Sequence, residues 1–366
     1  MKAVGGLLAC ALVVVVSGRP TGKDEQDGSF FSQLFSMGTH TGPLGGEAAT
    51  ARTRPETVND VDCASLSYDT TSEQEAGLKG RFSRLVALGD SLSDDGMDAS
   101  KGDEHGIRSF TNGHTWVKYF AEVNAIPNVL NMAYTGAKSD FAGLTTHANW
   151  SGLQWQVEHF IEEHETASAN DTLFTITIGT SRRLRVRTSG NDIFALAHDV
   201  RRGLEAFQNQ FLRRTIPANT VRTIRRLHEA KGAKNFVVLG IPKIWEAPVM
   251  SALTSVYRTV AETMLRDVVV ACNDRMRAGL ARLTSELGVN AHFVDLNQGF
   301  LSTARHLYPV TNVGLKETLA SGRVKEGEEL GKYFYYDGVH PSTGVHKVLA
   351  KLFTCAVAKD FSSPPS

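Results

Sequence analysis

Excess charge, long apolar runs and cysteine are all scarce in this chain, and each scarcity excludes something. The 366 residues carry 39 Lys and Arg against 39 Asp and Glu, a formal net charge of zero. That balance speaks against nucleic acid or an anionic membrane as a partner and suits a neutral or mixed substrate. Beyond residue 16 no apolar stretch approaches the ~20 residues that span a bilayer, so no integral membrane segment is expected. The four cysteines, Cys10, Cys63, Cys272 and Cys355, have no zinc-site spacing. No phosphate loop, metal-ligand cluster or internal repeat is visible, so neither metal nor cofactor is expected.

What is present begins with a short leader. Lys2 precedes an 11-residue apolar run from Gly6 to Val16, and the small residues Ser17 and Gly18 follow. This reads as a signal peptide over residues 1–18 and implies a secreted, extracellular protein; an N-terminal anchor is the less favoured alternative. Cys10 would leave with it, and three cysteines allow one intramolecular disulfide at most. Cys272 falls on a core-facing helical position and is expected free, which leaves Cys63–Cys355 as the candidate pair. Residues 19–78 are rich in Gly, Thr, Ser, Asp and Glu without a sustained period, and read as an irregular leader or linker. Asn149 and Asn170 head glycosylation sequons.

From residue 79 to about 360 the chain alternates short apolar runs with helical patterns, which predicts one catalytic α/β domain. The predicted strands are Leu85–Leu88, Val129–Ala133, Leu173–Ile178, Phe236–Leu239 and His292–Leu296. Helical faces are marked by Trp116, Phe120 and Val123, and by Val200, Leu204, Phe207 and Phe211. Leu265, Val268, Val269, Cys272, Met276, Leu280, Leu283 and Leu287 mark a longer face. A last one, after Pro341, carries Val345, Val348, Leu349, Leu352, Phe353 and Ala356. The expected architecture is a doubly wound, mostly parallel five-stranded sheet flanked by helices, with ligands bound beyond the carboxyl ends of the strands.

Two motifs carry chemistry. In Leu85-Val-Ala-Leu-Gly-Asp-Ser-Leu-Ser-Asp-Asp-Gly96 an apolar strand ends at Gly89, whose missing side chain permits a sharp turn. Ser91 then stands at the carboxyl end of the strand, at the expected start of a helix, where its N–H faces an incoming oxyanion. A serine hydroxyl needs a base to become a nucleophile. In Tyr335-Tyr-Asp-Gly-Val-His-Pro-Ser342 the spacing lets the Asp337 carboxylate reach Nδ1–H of His340, leaving Nε2 to take the serine proton. Taken alone, Ser91 reads more readily as a helix cap; with Asp337 and His340 present that reading becomes the minor one. Asp90, Asp94 and Asp95 read as capping and dipole partners rather than metal ligands, and Leu92 excludes a phosphatase-like Asp-x-Asp nucleophile at Asp90. His114 is expected at the surface. Trp245 suits substrate packing and core capping equally.

These motifs resemble the GDSL, or SGNH, hydrolases. Gly89-Asp-Ser-Leu resembles the family's first block and Asp337-Gly-Val-His340 its last. Asn131-Met-Ala-Tyr-Thr-Gly-Ala-Lys-Ser139 resembles the second, and Gly190-Asn-Asp-Ile193 the third. All four stand in family order over residues 81 to 358. The resemblance implies a three-layer, flavodoxin-like fold and a secreted serine esterase or lipase acting through an acyl-enzyme. Ser91, Asp337 and His340 are then the triad. The Ser91 N–H, the Gly136 N–H and the Asn191 amide form the oxyanion hole, each donor lowering the barrier by about 3 kcal/mol. The expected substrate is a small-molecule, lipid or carbohydrate ester.

One departure stands out. Gly179 is separated from Gly190 by Thr180–Ser189, ten residues with four arginines. They are either a basic loop beside the site or a retained intron fragment, and the second is favoured because a loop would have to return without moving Asn191. The same insertion supports the alternative of a catalytically impaired relative serving as a secreted glycan-binding or interaction protein.

Overall fold

In the computed structural model the described residues are 78–96, 110–141, 151–164, 170–179, 211–252, 255–297, 300–322 and 330–361. The expected signal peptide, the leader up to residue 77, the insertion and Asn191 lie outside them. So do Asn149 and the face from Val200 to Phe207. All five expected strands form, each within two residues of its predicted start: β1 (Arg84–Gly89), β2 (Asn128–Asn131), β3 (Thr172–Thr177), β4 (Asn235–Leu239) and β5 (Asn290–Val294). They make one sheet, parallel throughout, in the order β2-β1-β3-β4-β5.

The apolar runs lack period-2 polarity because both faces of the sheet are covered. Val86, Leu88, Phe174, Ile176, Phe236 and Val238 point into one core cluster. Helices α2 (Leu153–Glu163), α3 (Phe211–Lys231) and α4 (Ser255–Leu287) cover that side. Leu85, Ala87, Leu173, Val237 and Leu239 point to the other side, against α1 (Trp116–Val123) and the last helix (Thr343–Phe361). Two short helices, α5 (Phe300–Leu307) and α6 (Leu315–Ala320), precede that last helix, α7. The predicted long helical face is α4, with Leu265, Val268, Val269, Cys272, Met276, Leu280 and Leu283 all buried. Cys272 is a buried thiol outside any disulfide, and Cys355 is disulfide-bonded.

α2 and nearly all of α3 fall where the sequence marked no helical face. α2 carries no strong apolar stripe, because Gln154 and Gln156 occupy buried positions on its inner face. α3 contains Pro217, which cannot donate to the carbonyl of Arg213 and inside a helix costs about 3 kcal/mol. Arg275 of α4 offsets part of that loss, its guanidinium donating to the Arg213 carbonyl at 2.7 Å.

The sheet order decides where a ligand fits. From β1 the chain steps outward to β2 and then returns to place β3 on the opposite side of β1. The connections therefore diverge beyond the carboxyl ends of β1 and β3 and leave a crevice there.

Candidate active site

β1 ends at Gly89 because no other residue fits. A Cβ there would collide with the Thr177 carbonyl oxygen on β3. The chain then makes one tight turn. Asp90 N–H donates to Thr177 O at 3.1 Å, while Ser93 and Asp94 N–H both donate to Asp90 O at 3.0 Å. The Asp90 carboxylate accepts Leu92 N–H at 3.1 Å. The turn does not open a helix as the sequence suggested: residues 91–93 are turn and 94–96 irregular. Capping and dipole pairing are therefore not what Asp94 does. Its carboxylate reaches sideways instead, accepting Thr135 N–H at 2.8 Å and Thr135 Oγ–H at 2.7 Å.

The buried Ser91 places its Oγ 2.8 Å from Nε2 of His340, 249 positions along the chain. The other ring nitrogen, Nδ1, lies 3.0 and 2.9 Å from the two Asp337 oxygens. Asp337 Oδ1 also accepts Val339 N–H and His340 N–H, both at 2.8 Å. Burial pushes the Asp337 carboxyl upward, but the His340 ring and these two backbone donors outweigh it and hold it below the ordinary carboxylate value. Nδ1–H donating to a carboxylate leaves Nε2 as the acceptor facing the hydroxyl. Phe110 lies against the imidazole with ring centroids 4.8 Å apart. Leu315 N–H and Lys316 N–H brace the turn by donating to Tyr335 O and Tyr336 O, as Val249 N–H does to Gly338 O. The last helix follows Pro341 as expected: α7 starts two residues later at Thr343, and Pro341 itself bridges to Tyr335.

A profile of the GDSL-like lipase/acylhydrolase family matches residues 85–353, a stretch that includes Ser91, Asp337 and His340. The chain belongs to the GDSL-like lipase/acylhydrolase family. That family hydrolyses carboxylic esters. Among curated relatives, the thermolabile hemolysin of Vibrio parahaemolyticus serotype O3:K6 (strain RIMD 2210633) is 25% identical over 316 residues, covering 78% of this chain and 67% of that protein. Among solved structures, a carbohydrate esterase family 2 enzyme with its carbohydrate-binding domain, from Corynascus thermopiles (Myceliophthora fergusii), is 13% identical with a TM-score of 0.40; 76% of this chain aligns with 66% of that one. Phospholipase A1 from Streptomyces albidoflavus NA297 is 17% identical with a TM-score of 0.39, over 74% of this chain and 98% of that one.

The second GDSL block forms the loop after β2. Gly136 adopts φ +83°, a conformation that favours glycine. Tyr134 N–H donates to Gly89 O at 3.0 Å, which ties this loop to the end of β1.

Two residues that the sequence reading passed over shape the site. Gln156 is fully buried and reaches from α2 to Gly89, accepting its N–H and donating to its carbonyl, both at 2.8 Å, and donating to Ser151 O at 2.9 Å. The signal for it was a glutamine three residues after Leu153 and four before Phe160, on the face those residues bury. His346, in the first turns of α7, is 2% exposed, and its Nδ1 has no hydrogen-bond partner. Burial, helped by the nearby His340, pushes its imidazole down to about 3, so the ring is neutral. With Leu92, Thr177, Val339 and Pro341 it lines a mainly apolar cavity of about 50 Å³ beside the turn that carries Ser91.

Of the remaining expectations, His114 is exposed, and Trp245 is 7% exposed beneath the Arg266 guanidinium, which caps the core. Among the described residues no group of three or more His, Cys, Asp or Glu is placed to hold a metal, and no helix is long and apolar enough to cross a membrane.

Proposed function

We propose that the protein is a secreted serine esterase acting on lipid or carbohydrate esters through Ser91, His340 and Asp337. The observation that carries this is the unbroken line from the Ser91 Oγ, 2.8 Å from His340 Nε2, through Nδ1 to the Asp337 carboxylate. Ser91 attacks the ester carbonyl carbon while His340 Nε2 takes the hydroxyl proton. The tetrahedral oxyanion is stabilised by the N–H groups of Ser91 and Gly136 and by the Asn191 amide. On collapse the carbon–oxygen bond to the alcohol breaks, and His340 protonates the departing alkoxide. Water, deprotonated by the same nitrogen, then cleaves the acyl-enzyme and releases the acid. Asp337 stays ionised throughout, holding the tautomer and stabilising the imidazolium.

Short acyl chains or carbohydrate esters are the favoured substrates. The balanced charge and the lack of a long apolar lid-like stretch in the sequence support this reading. Secretion rests on the leader over residues 1–18. The reading of an impaired, binding-only relative is the less favoured, because its Ser91 would have no need of a base within hydrogen-bonding reach. The test is hydrolysis of p-nitrophenyl acetate by purified protein, with labelling by a fluorophosphonate probe. Ser91→Ala is expected to lose about a thousandfold or more in rate and all labelling. Retained activity in that variant would remove Ser91 from the mechanism. Profiling from acetate to palmitate esters ranks the acyl chains.

A further inference from the structure

We propose that Asp94 is a positioning residue that fixes the nucleophile turn against the Gly136 loop, and so sets the spacing between two of the oxyanion donors; the inference rests on the roles proposed above for Ser91 and Gly136. Asp94 stands three residues after the nucleophile, and its N–H is bonded to Asp90 O, so the carboxylate and Ser91 belong to one rigid turn. The side chain is 4% exposed. One oxygen, Oδ2, accepts both the N–H and the Oγ–H of Thr135, at 2.8 and 2.7 Å. The other, Oδ1, accepts Gly96 N–H at 3.1 Å. Thr135 immediately precedes Gly136, so the bonded residue supplies one end of the peptide that carries the Gly136 N–H.

A second strap runs parallel. Asn131 Nδ2 donates to Ser93 O at 2.7 Å and to Asp95 Oδ1 at 3.2 Å, and Asn131 Oδ1 accepts Ala133 N–H at 3.1 Å. Asp94 acts closer to the donor, since it bonds Thr135, the residue next to Gly136, whereas Asn131 lies five positions before that glycine. Its charge argues for geometry rather than electrostatics. A buried anion beside a developing oxyanion opposes catalysis by Coulomb repulsion, so the benefit of Asp94 lies in where it holds Thr135. An asparagine at this position offers one acceptor oxygen and cannot satisfy Thr135 and Gly96 together.

The experiment compares wild type, Asp94→Asn, Thr135→Val and Thr135→Ser in the full chain. It reads kcat and KM on p-nitrophenyl acetate, and inhibition by an alkyl boronic acid whose tetrahedral adduct on Ser91 mimics the oxyanion. Asp94→Asn is expected to lower kcat between about ten- and a hundredfold, the range for a modest misplacement of a donor, with KM within about twofold. Boronate affinity should fall by the same factor as kcat/KM. Thr135→Val should lose less, and Thr135→Ser should recover most of that loss. A kcat for Asp94→Asn that is unchanged or raised overturns the proposal, as does a lowered kcat with unchanged boronate affinity. Should Asp94→Asn not fold, equal kcat for wild type, Thr135→Val and Thr135→Ser overturns it. A wild-type chain that neither cleaves the ester nor labels with a fluorophosphonate overturns the proposed function itself. A wild type that does both, matched by Asp94→Asn, overturns the positioning role alone.

Discussion

The Asp337 carboxylate finds its partners within three residues, although its turn is also braced from Leu315, Lys316 and Val249, whereas the turn around Ser91 is held by side chains 22 to 67 positions away. In the first, one carboxylate oxygen gathers two backbone N–H groups and the imidazole, so the geometry travels with a short piece of sequence. In the second, Gly89 is clamped from α2 by Gln156, Ser93 and Asp95 from the end of β2 by Asn131, and Asp94 from the following loop by Thr135. A local turn tolerates change elsewhere in the fold. A stitched turn is only as well placed as its donors. The lesson is that the proposed base can be oriented by local sequence, while the proposed nucleophile and the N–H of Gly136 are aimed by the packing of the whole domain.

Substitutions on the two sides should break this comparison in different ways. Asp337→Asn is expected to have the largest effect, a fall in kcat on the order of a thousandfold, because the amide favours the wrong tautomer of His340. A loss of less than tenfold would show that Asp337 does not orient the base. The pair also has an acid limit. The folded-state value of Asp337 lies below the unfolded one, near 3.9, so its stabilisation is complete above that pH and is lost as pH falls through the depressed folded value. Acid titration of wild type against Asp337→Asn should show the two stability curves converging only below about pH 4.

Gln156→Leu tests the stitched side. It keeps the volume but leaves the buried Gly89 N–H and Ser151 carbonyl without their amide partner, a cost of about 3 kcal/mol. The measurement is denaturant unfolding together with kcat. Full stability with full activity would show that Gly89 holds its place without the clamp.

The smallest effect is expected at His346. Its folded-state value of about 3 lies below the unfolded 6.5. Its contribution is therefore intact above about pH 6.5 and is lost as the unfolded chain protonates on the way down towards pH 3. His346→Leu removes that penalty. Relative to wild type, the variant should gain about 2 kcal/mol of unfolding free energy between pH 7 and pH 5. A pH-independent difference between the two would show that the imidazole is not held neutral.

Much of this could be read from residues in order. The strands were legible because each is a short apolar run closed by a turn residue, and α4 because its stripe repeats without interruption for seven buried positions. α2 and α3 were not. Buried glutamines break the stripe of the first, and Pro217 interrupts the second, so periodicity fails where tertiary partners such as Gly89 and Arg275 satisfy the polar or broken backbone. Likewise Asp94 looked like a helix cap, since an acidic residue after a strand–turn is common there. Only the approach of Thr135 gives it a different role.

By itself, then, the sequence determined the alternating layers, the glycine at which β1 must turn and the Asp337–His340 pair, because those depend on side-chain size, apolar pattern and bonds spanning a few residues. The tertiary structure decided that Ser91 meets His340 across 249 positions, which buried amide holds Gly89 and which loop Asp94 grips. Those contacts depend on sheet order and on packing between helices and strands, which no local pattern encodes.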